Sequence, residues 1–129
     1  IHSEFLLKEL KTRVRYDEAR NLLRLNFNGL EIDSQDDIDN IRKILVDLCT
    51  SIGKKVNTVV NYNAFKVNDQ LFSEYLVMGQ FVIENYYRKA ARYSANAEAR
   101  ARFTDEFQSR KLPPNMFATE EDALQYVMS

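Results

Sequence analysis

Near its start the chain alternates apolar and polar positions in two short runs. From Thr12 to Tyr16, Val14 faces one way and Arg13 and Arg15 the other. Further on, Leu23, Leu25 and Phe27 alternate against Arg24, Asn26 and Asn28. A period of two is the mark of a half-buried strand. The polar connector Asp17–Asn21 is short, so the runs predict an antiparallel hairpin that turns Leu23, Leu25 and Phe27 to the core. Gly29 ends the second run.

The period then changes. Ile38, Ile41, Leu45, Leu48 and Ile52 recur at spacings of three and four, one apolar stripe along a helix. Ser34 suits its N-cap, Asp36 and Asp37 suit the positive end of its dipole, and Gly53 suits the position after its end. The β-branched run VNTVVNY (56–62) has adjacent Val59 and Val60, which predicts a central parallel strand covered on both faces. Asn68 or Asp69 caps the next helix, expected to run to about Ala90. Its apolar residues Leu71, Phe72, Tyr75, Leu76, Met78, Val82, Ile83 and Tyr86 cover a wide arc. Such an arc is either buried in the domain or shared with a partner. Gly79 within it reads as a place of close backbone approach. Ala90–Tyr93 is a weak strand, Ala97–Lys111 a helix carrying Ala99, Phe103 and Phe107, and Asn115–Ala118 a very short strand beyond Pro113 and Pro114. Thr119 caps a last helix with Ala123, Leu124 and Val127 inward. Residues 1–11 read as a linker or a short amphipathic turn. Phe5, Leu6 and Leu10 in it are available to dock on this domain or on another domain of the same protein.

The predicted order is β-β-α-β-α-β-α-β-α. That gives an α/β domain over residues 12–129: a mostly parallel sheet of about five strands, an N-terminal antiparallel hairpin and about four helices. A length of 129 residues suits one core. Lys plus Arg number 18 and Asp plus Glu 19, a net charge of −1, which gives no global attraction for nucleic acid or anionic lipid. No apolar run approaches the roughly 18 residues a membrane helix needs. A single cysteine, Cys49, fits a reducing compartment, so a cytoplasmic protein is expected. The chain opens on Ile1 rather than Met, which reads as a piece of a longer protein.

Little material for chemistry is present. Gly29, Gly53 and Gly79 are the only glycines, and no phosphate-cradling loop can be written with them. One Cys and one His, His2, do not make a zinc site, so neither cofactor nor metal is expected. Cys49 sits on the amphipathic stretch IRKILVDLCTSIG (41–53) and reads as a small core side chain rather than a nucleophile. Asp36-Asp37 and Glu120-Glu121 lie at helix starts, where dipole complementarity explains them better than acid–base catalysis does. Asn61, Tyr62, Asn63 and Phe65 follow the central strand, at the edge where open parallel sheets bind ligands. The competing reading is that Asn61 and Asn63 satisfy turn backbone groups. With Leu71, Tyr75 and Tyr86 of the next helix, these residues form the candidate partner or ligand surface. The basic and aromatic cluster Tyr86-Tyr87-Arg88-Lys89 with Arg92-Tyr93 has the interleaving of single-strand binders. Tyr86 belongs to the helix's apolar face and the chain is not basic, so nucleic acid is not the expected partner.

The segments NLLRLNFNGL (21–30), KKVNTVVNYNAFKV (54–67), ARYSANAEARARFTDEF (91–107) and MFATEEDALQYV (116–127), in this order, resemble the STAS-type fold of bacterial anti-sigma-factor antagonists, the SpoIIAA-like branch. The likeness covers roughly residues 12–128 and rests on pattern more than on invariant motifs. It departs from that family after the central strand. The family carries a phosphorylatable serine there, and this chain reads Phe65-Lys66-Val67-Asn68-Asp69, with Ser73 the nearest serine. RVRYDEARNLLRLNFNGLEI (13–32), VNTVVNYNAF (56–65), YYRKAARYSANA (86–97) and MFATEEDA (116–123) resemble more closely the C-terminal extension of bacterial acetate/propionate-type acyl-CoA transferases. That resemblance implies a parent enzyme moving coenzyme A between carboxylic acids through a catalytic glutamate that no residue here matches.

The expected function is therefore a non-catalytic accessory domain. Its partners would be the catalytic part of a CoA-transferase-like protein or a second copy in a homodimer. The alternatives are a free-standing partner-binding regulator and a carrier of a small apolar ligand near Tyr62 and Phe65.

Overall fold

The structure is a computed structural model that describes residues 2–129, apart from the side chains of His2, Ser3 and Phe5. Its elements are α1 (His2–Arg13), β1 (Val14–Asp17), β2 (Leu22–Asn26), β3 (Glu31–Ile32), α2 (Gln35–Ile52), β4 (Val56–Asn61), β5 (Lys66–Val67), α3 (Phe72–Tyr86), β6 (Tyr87–Tyr93), α4 (Ala97–Ser109), β7 (Met116–Phe117) and α5 (Glu120–Met128). The main sheet has the order β1-β2-β4-β6-β7, and only β1 runs antiparallel to its neighbour. The α/β class, the hairpin and the mostly parallel sheet agree with the sequence pattern. β3 and β5 form a separate parallel pair beyond the carboxyl end of β2 and β4.

From β2 onward each crossover moves the chain one strand further in the same direction. A constant hand of crossover then puts every connecting helix on one face. Core residues of α2, α3 and α4 do share one cluster with Leu23, Leu25, Val56 and Val60 of the sheet. Only α5, which follows the last strand, crosses to the other face, where Ala123 and Val127 pack on Leu22, Val59 and Ala91. Val59 and Val60 thus face opposite layers, as a covered central strand requires.

The caps fall where the sequence places them. The Ser34 hydroxyl accepts the Asp37 N–H at 3.3 Å, Gly53 ends α2 at φ 80°, and the Thr119 hydroxyl accepts the Asp122 N–H at 3.2 Å.

Three features differ from the expectation. Residues 2–13 are a helix rather than a linker or a single turn, and Leu6 and Leu10 are buried in this domain's own core. That raises the helices to five among the described residues. The third helix stops at Tyr86 and β6 begins at Tyr87, although Arg88, Lys89, Ala90 and Ala91 are all good helix formers. Pairing with β4, from Val56 opposite Tyr87 to Asn61 opposite Tyr93, outweighs that local preference. Gly79 marks no close approach: nothing lies within 4 Å of where its Cβ would stand.

Gly79→Ala should therefore stabilise the protein by about 0.5–1 kcal/mol, the helix propensity difference unopposed by a clash. Urea denaturation would measure it, and a destabilised variant would mean that the space is not free.

Candidate functional site

The carboxyl end of β4 was the candidate surface, and there the backbone is closed rather than open. The Asn61 Oδ1 accepts the Asn63 N–H at 2.9 Å. The Asn63 Oδ1 accepts the Ala95 N–H at 2.7 Å, tying the β4 turn to the end of β6. Phe27 and Gly29 donate their N–H groups to the carbonyls of Asn61 and Asn63. Both asparagine side chains therefore serve turn backbone groups. The rule that places ligands at such an edge needs a point where the strand order reverses. The one-way winding has none, and the β3–β5 pair lies over this end of the sheet.

Tyr62, Phe65 and Tyr75 are brought together, but mainly as core. Tyr62 stacks on Phe103 with centroids 4.7 Å apart and planes 9° from parallel. Phe65 lies 4.7 Å from Tyr62, 5.4 Å from Tyr75 and 5.9 Å from Phe27. The hydroxyls of Tyr62 and Tyr75 share a 2.8 Å hydrogen bond inside the core. Burial raises the pKa of both, that of Tyr75 strongly, so neither is a ready base. Leu71 is half-buried beside them. Tyr86 stands apart, edge-on to Phe81 at 6.2 Å. What remains accessible is a surface cleft of about 410 Å³ whose walls include Phe65, Val67, Phe72, Ala99, Arg102 and Phe103. Of the wide apolar arc of α3, Phe72, Tyr75, Leu76, Met78 and Val82 are buried within this domain and Leu71, Ile83 and Tyr86 are half-buried. Val77, outside that arc, is 59% exposed.

A second concave region lies on the sheet face that α5 only partly covers. It encloses about 300 Å³ and is lined by Arg13, Arg15, Arg24, Asn26, Asn61, Tyr93 and Glu120, among others. Arg15 and Arg24 are directly opposed across the β1–β2 ladder, and both are exposed. Arg13 is engaged, donating to the carbonyls of Asn26 and Asn28 at 3.1 and 2.7 Å. Glu120 accepts the Tyr93 hydroxyl at 2.7 Å and approaches Arg24 at 3.9 Å. Burial, then the Glu120 carboxylate, raises the Tyr93 pKa. This region went unread because the alternation of Arg13, Arg15, Arg24 and Asn26 marks an outward face without saying what lies over it.

Arg92 belongs to neither surface. The sequence groups it with Tyr93 in a basic and aromatic cluster of the kind that meets nucleic acid, yet it is only 4% exposed. Its guanidinium lies 4.3 Å from the Phe107 ring centroid, and Nη1 donates to the Pro114 carbonyl at 3.1 Å. Strand alternation gave the signal: Ala90 and Arg92 share the helix-covered face of β6, and Ala91 and Tyr93 share the other.

The resulting chemistry is sparse. Burial pushes the Cys49 thiol up from 9.0 to about 11, which keeps it protonated and unreactive. His2 has its side chain outside the described residues. Among the described residues no group of three or more His, Cys, Asp or Glu side chains is placed to hold a metal ion. No helix among them is long and apolar enough to cross a membrane. No family model, curated protein or solved structure matches the chain.

Asn63→Ala should cost about 1–2 kcal/mol by leaving the Ala95 N–H without its acceptor; a change under a few tenths in chemical denaturation would refute the stapling role. Cys49 should react with a thiol reagent only as fast as the chain unfolds. The thiol ionises near 9.0 when unfolded and near 11 when folded, so its contribution to stability is complete below pH 9 and is lost as the pH rises to about 11. Denaturation midpoints that do not fall between pH 8.5 and 10.5 would contradict this.

Proposed function

We propose that this chain is a non-catalytic accessory domain that packs, through the open half of its sheet, against the catalytic part of an acyl-CoA transferase-like protein. The observation that carries the reading is the uncovered sheet face with Arg15 opposite Arg24. Like charges directly opposed on a ladder are destabilising unless something of the other sign lies near, and Glu120 reaches only Arg24. An acidic surface laid over the hairpin would relieve the repulsion and fill the concavity. The CoA-transferase assignment rests on the sequence resemblance alone.

A reading frame that encodes a transferase domain beside this chain separates this reading from a free-standing regulator of the antagonist type. In the whole protein, Arg15→Glu with Arg24→Glu should free the domain, seen as faster proteolytic release and a larger frictional ratio in sedimentation. An unchanged ratio, or a frame that encodes no catalytic domain, would sink the proposal.

The cleft at Phe65 favours a second reading, a binding site for a small apolar ligand. Its size of about 410 Å³ falls within the usual range for ligand pockets. On that reading Phe65→Ala abolishes ligand-induced thermal stabilisation, and an unchanged shift counts against it.

A further inference from the structure

Beneath α3 the core contains a cavity of about 40 Å³, with Tyr62, Tyr75, Tyr87 and Arg92 among its walls and Leu25, Phe27, Val60, Leu76 and Val82 completing much of the rest. A water needs roughly 10–15 Å³ of such space, so the cavity admits a few water-sized occupants and nothing as large as a phosphate. Arg92 carries five N–H donors and no acceptor. It shares the lining with the tyrosines, and its guanidinium donates to one carbonyl, that of Pro114. The Tyr62 and Tyr75 hydroxyls share one hydrogen bond of 2.8 Å in which either can donate, so one of their two protons is not used by that bond. The Tyr87 hydroxyl also lines the space. The nearby Thr58 hydroxyl is buried without a partner in bonding geometry, although it is close enough to Tyr87 to influence it.

A buried guanidinium ordinarily has a carboxylate beside it, because an isolated charge in a low-dielectric core costs several kcal/mol. Among the described residues no Asp or Glu is paired with Arg92. Stacking on Phe107 and one carbonyl offset part of that cost. The cavity thus has on its wall a buried guanidinium without a carboxylate, beside hydroxyls that can donate, and it is sized for a monatomic ion.

We propose that this cavity is a structural site for a small monovalent anion of the halide class, held by Arg92 and by the Tyr75 and Tyr87 hydroxyls. The anion neutralises the guanidinium and accepts hydrogen bonds from the donors around it. It supports the core rather than reacting in it, and it is independent of the open sheet face.

Thermal unfolding of the protein in sodium chloride, against sodium gluconate at equal ionic strength, tests this. The midpoint should rise saturably with chloride, by about 3–6 °C at ten times the half-saturating concentration. Tyr75→Phe keeps the ring and removes one donor, and it should raise the half-saturating concentration about tenfold. Arg92→Met should remove the halide dependence; where that variant fails to fold, Tyr75→Phe and a bromide soak, read as an anomalous scattering peak in the cavity, carry the test. Equal midpoints in the two salts, an unchanged half-saturation in Tyr75→Phe, or a cavity without bromide would each overturn the proposal.

Discussion

Each crossover from β2 to β7 advances the sheet by one strand in the same sense, and the rest of the architecture follows from that constraint. It assembles three long helices into one layer and concentrates the aromatic side chains beneath them. It leaves the opposite face to a single helix of nine residues. It also removes the reversal of strand order at which doubly wound sheets open a crevice. A sheet wound in this way has one thick, well-filled side and one thin side, and the two sides suit different purposes.

The thick side is not purely apolar. Tyrosine hydroxyls and a guanidinium lie among its phenylalanines, and each ring that stacks there also excludes water from the polar groups it covers. Low dielectric strengthens whatever hydrogen bonds such groups make and increases the cost of those they lack. Arg92 holds β6 to the Pro114 segment and packs against α4 through Phe107, so the same side chain joins three pieces of the chain. The thin side is polar at its open half and apolar only where Ala123 and Val127 are seated.

Much of the fold was legible because its signals were local. The stripe of α2, its Ser34 and Gly53 ends, the Thr119 cap and the alternation of the hairpin each lie within a few residues of one another. The two boundaries that were misread depend on distant partners. Within Tyr87–Ala90 the helix-forming Arg88, Lys89 and Ala90 argue for more helix until β4 lies beside them. Residues 2–13 hold good helix formers, but a segment this short is marginal as a helix until Leu6 and Leu10 meet the core. The candidate surface was half legible for the same reason. Asn61, Tyr62, Asn63 and Phe65 do cluster, but whether a turn is open or closed depends on Ala95 and Phe103, more than thirty residues away in sequence. Burial of Arg92 was not legible because arginine is usually exposed; only its phase in β6 pointed inward.

The outermost parallel strand, β7, pairs through two residues, Met116 and Phe117, with Pro113 and Pro114 just before it and the capping Thr119 just after. Its free side therefore presents almost no run of unpaired backbone. A long, flat edge would invite the strand of another molecule, the first step toward fibrous aggregation. On this flank the sheet ends too abruptly to serve as a template, so self-association of the protein is left to side-chain surfaces rather than to backbone zippering.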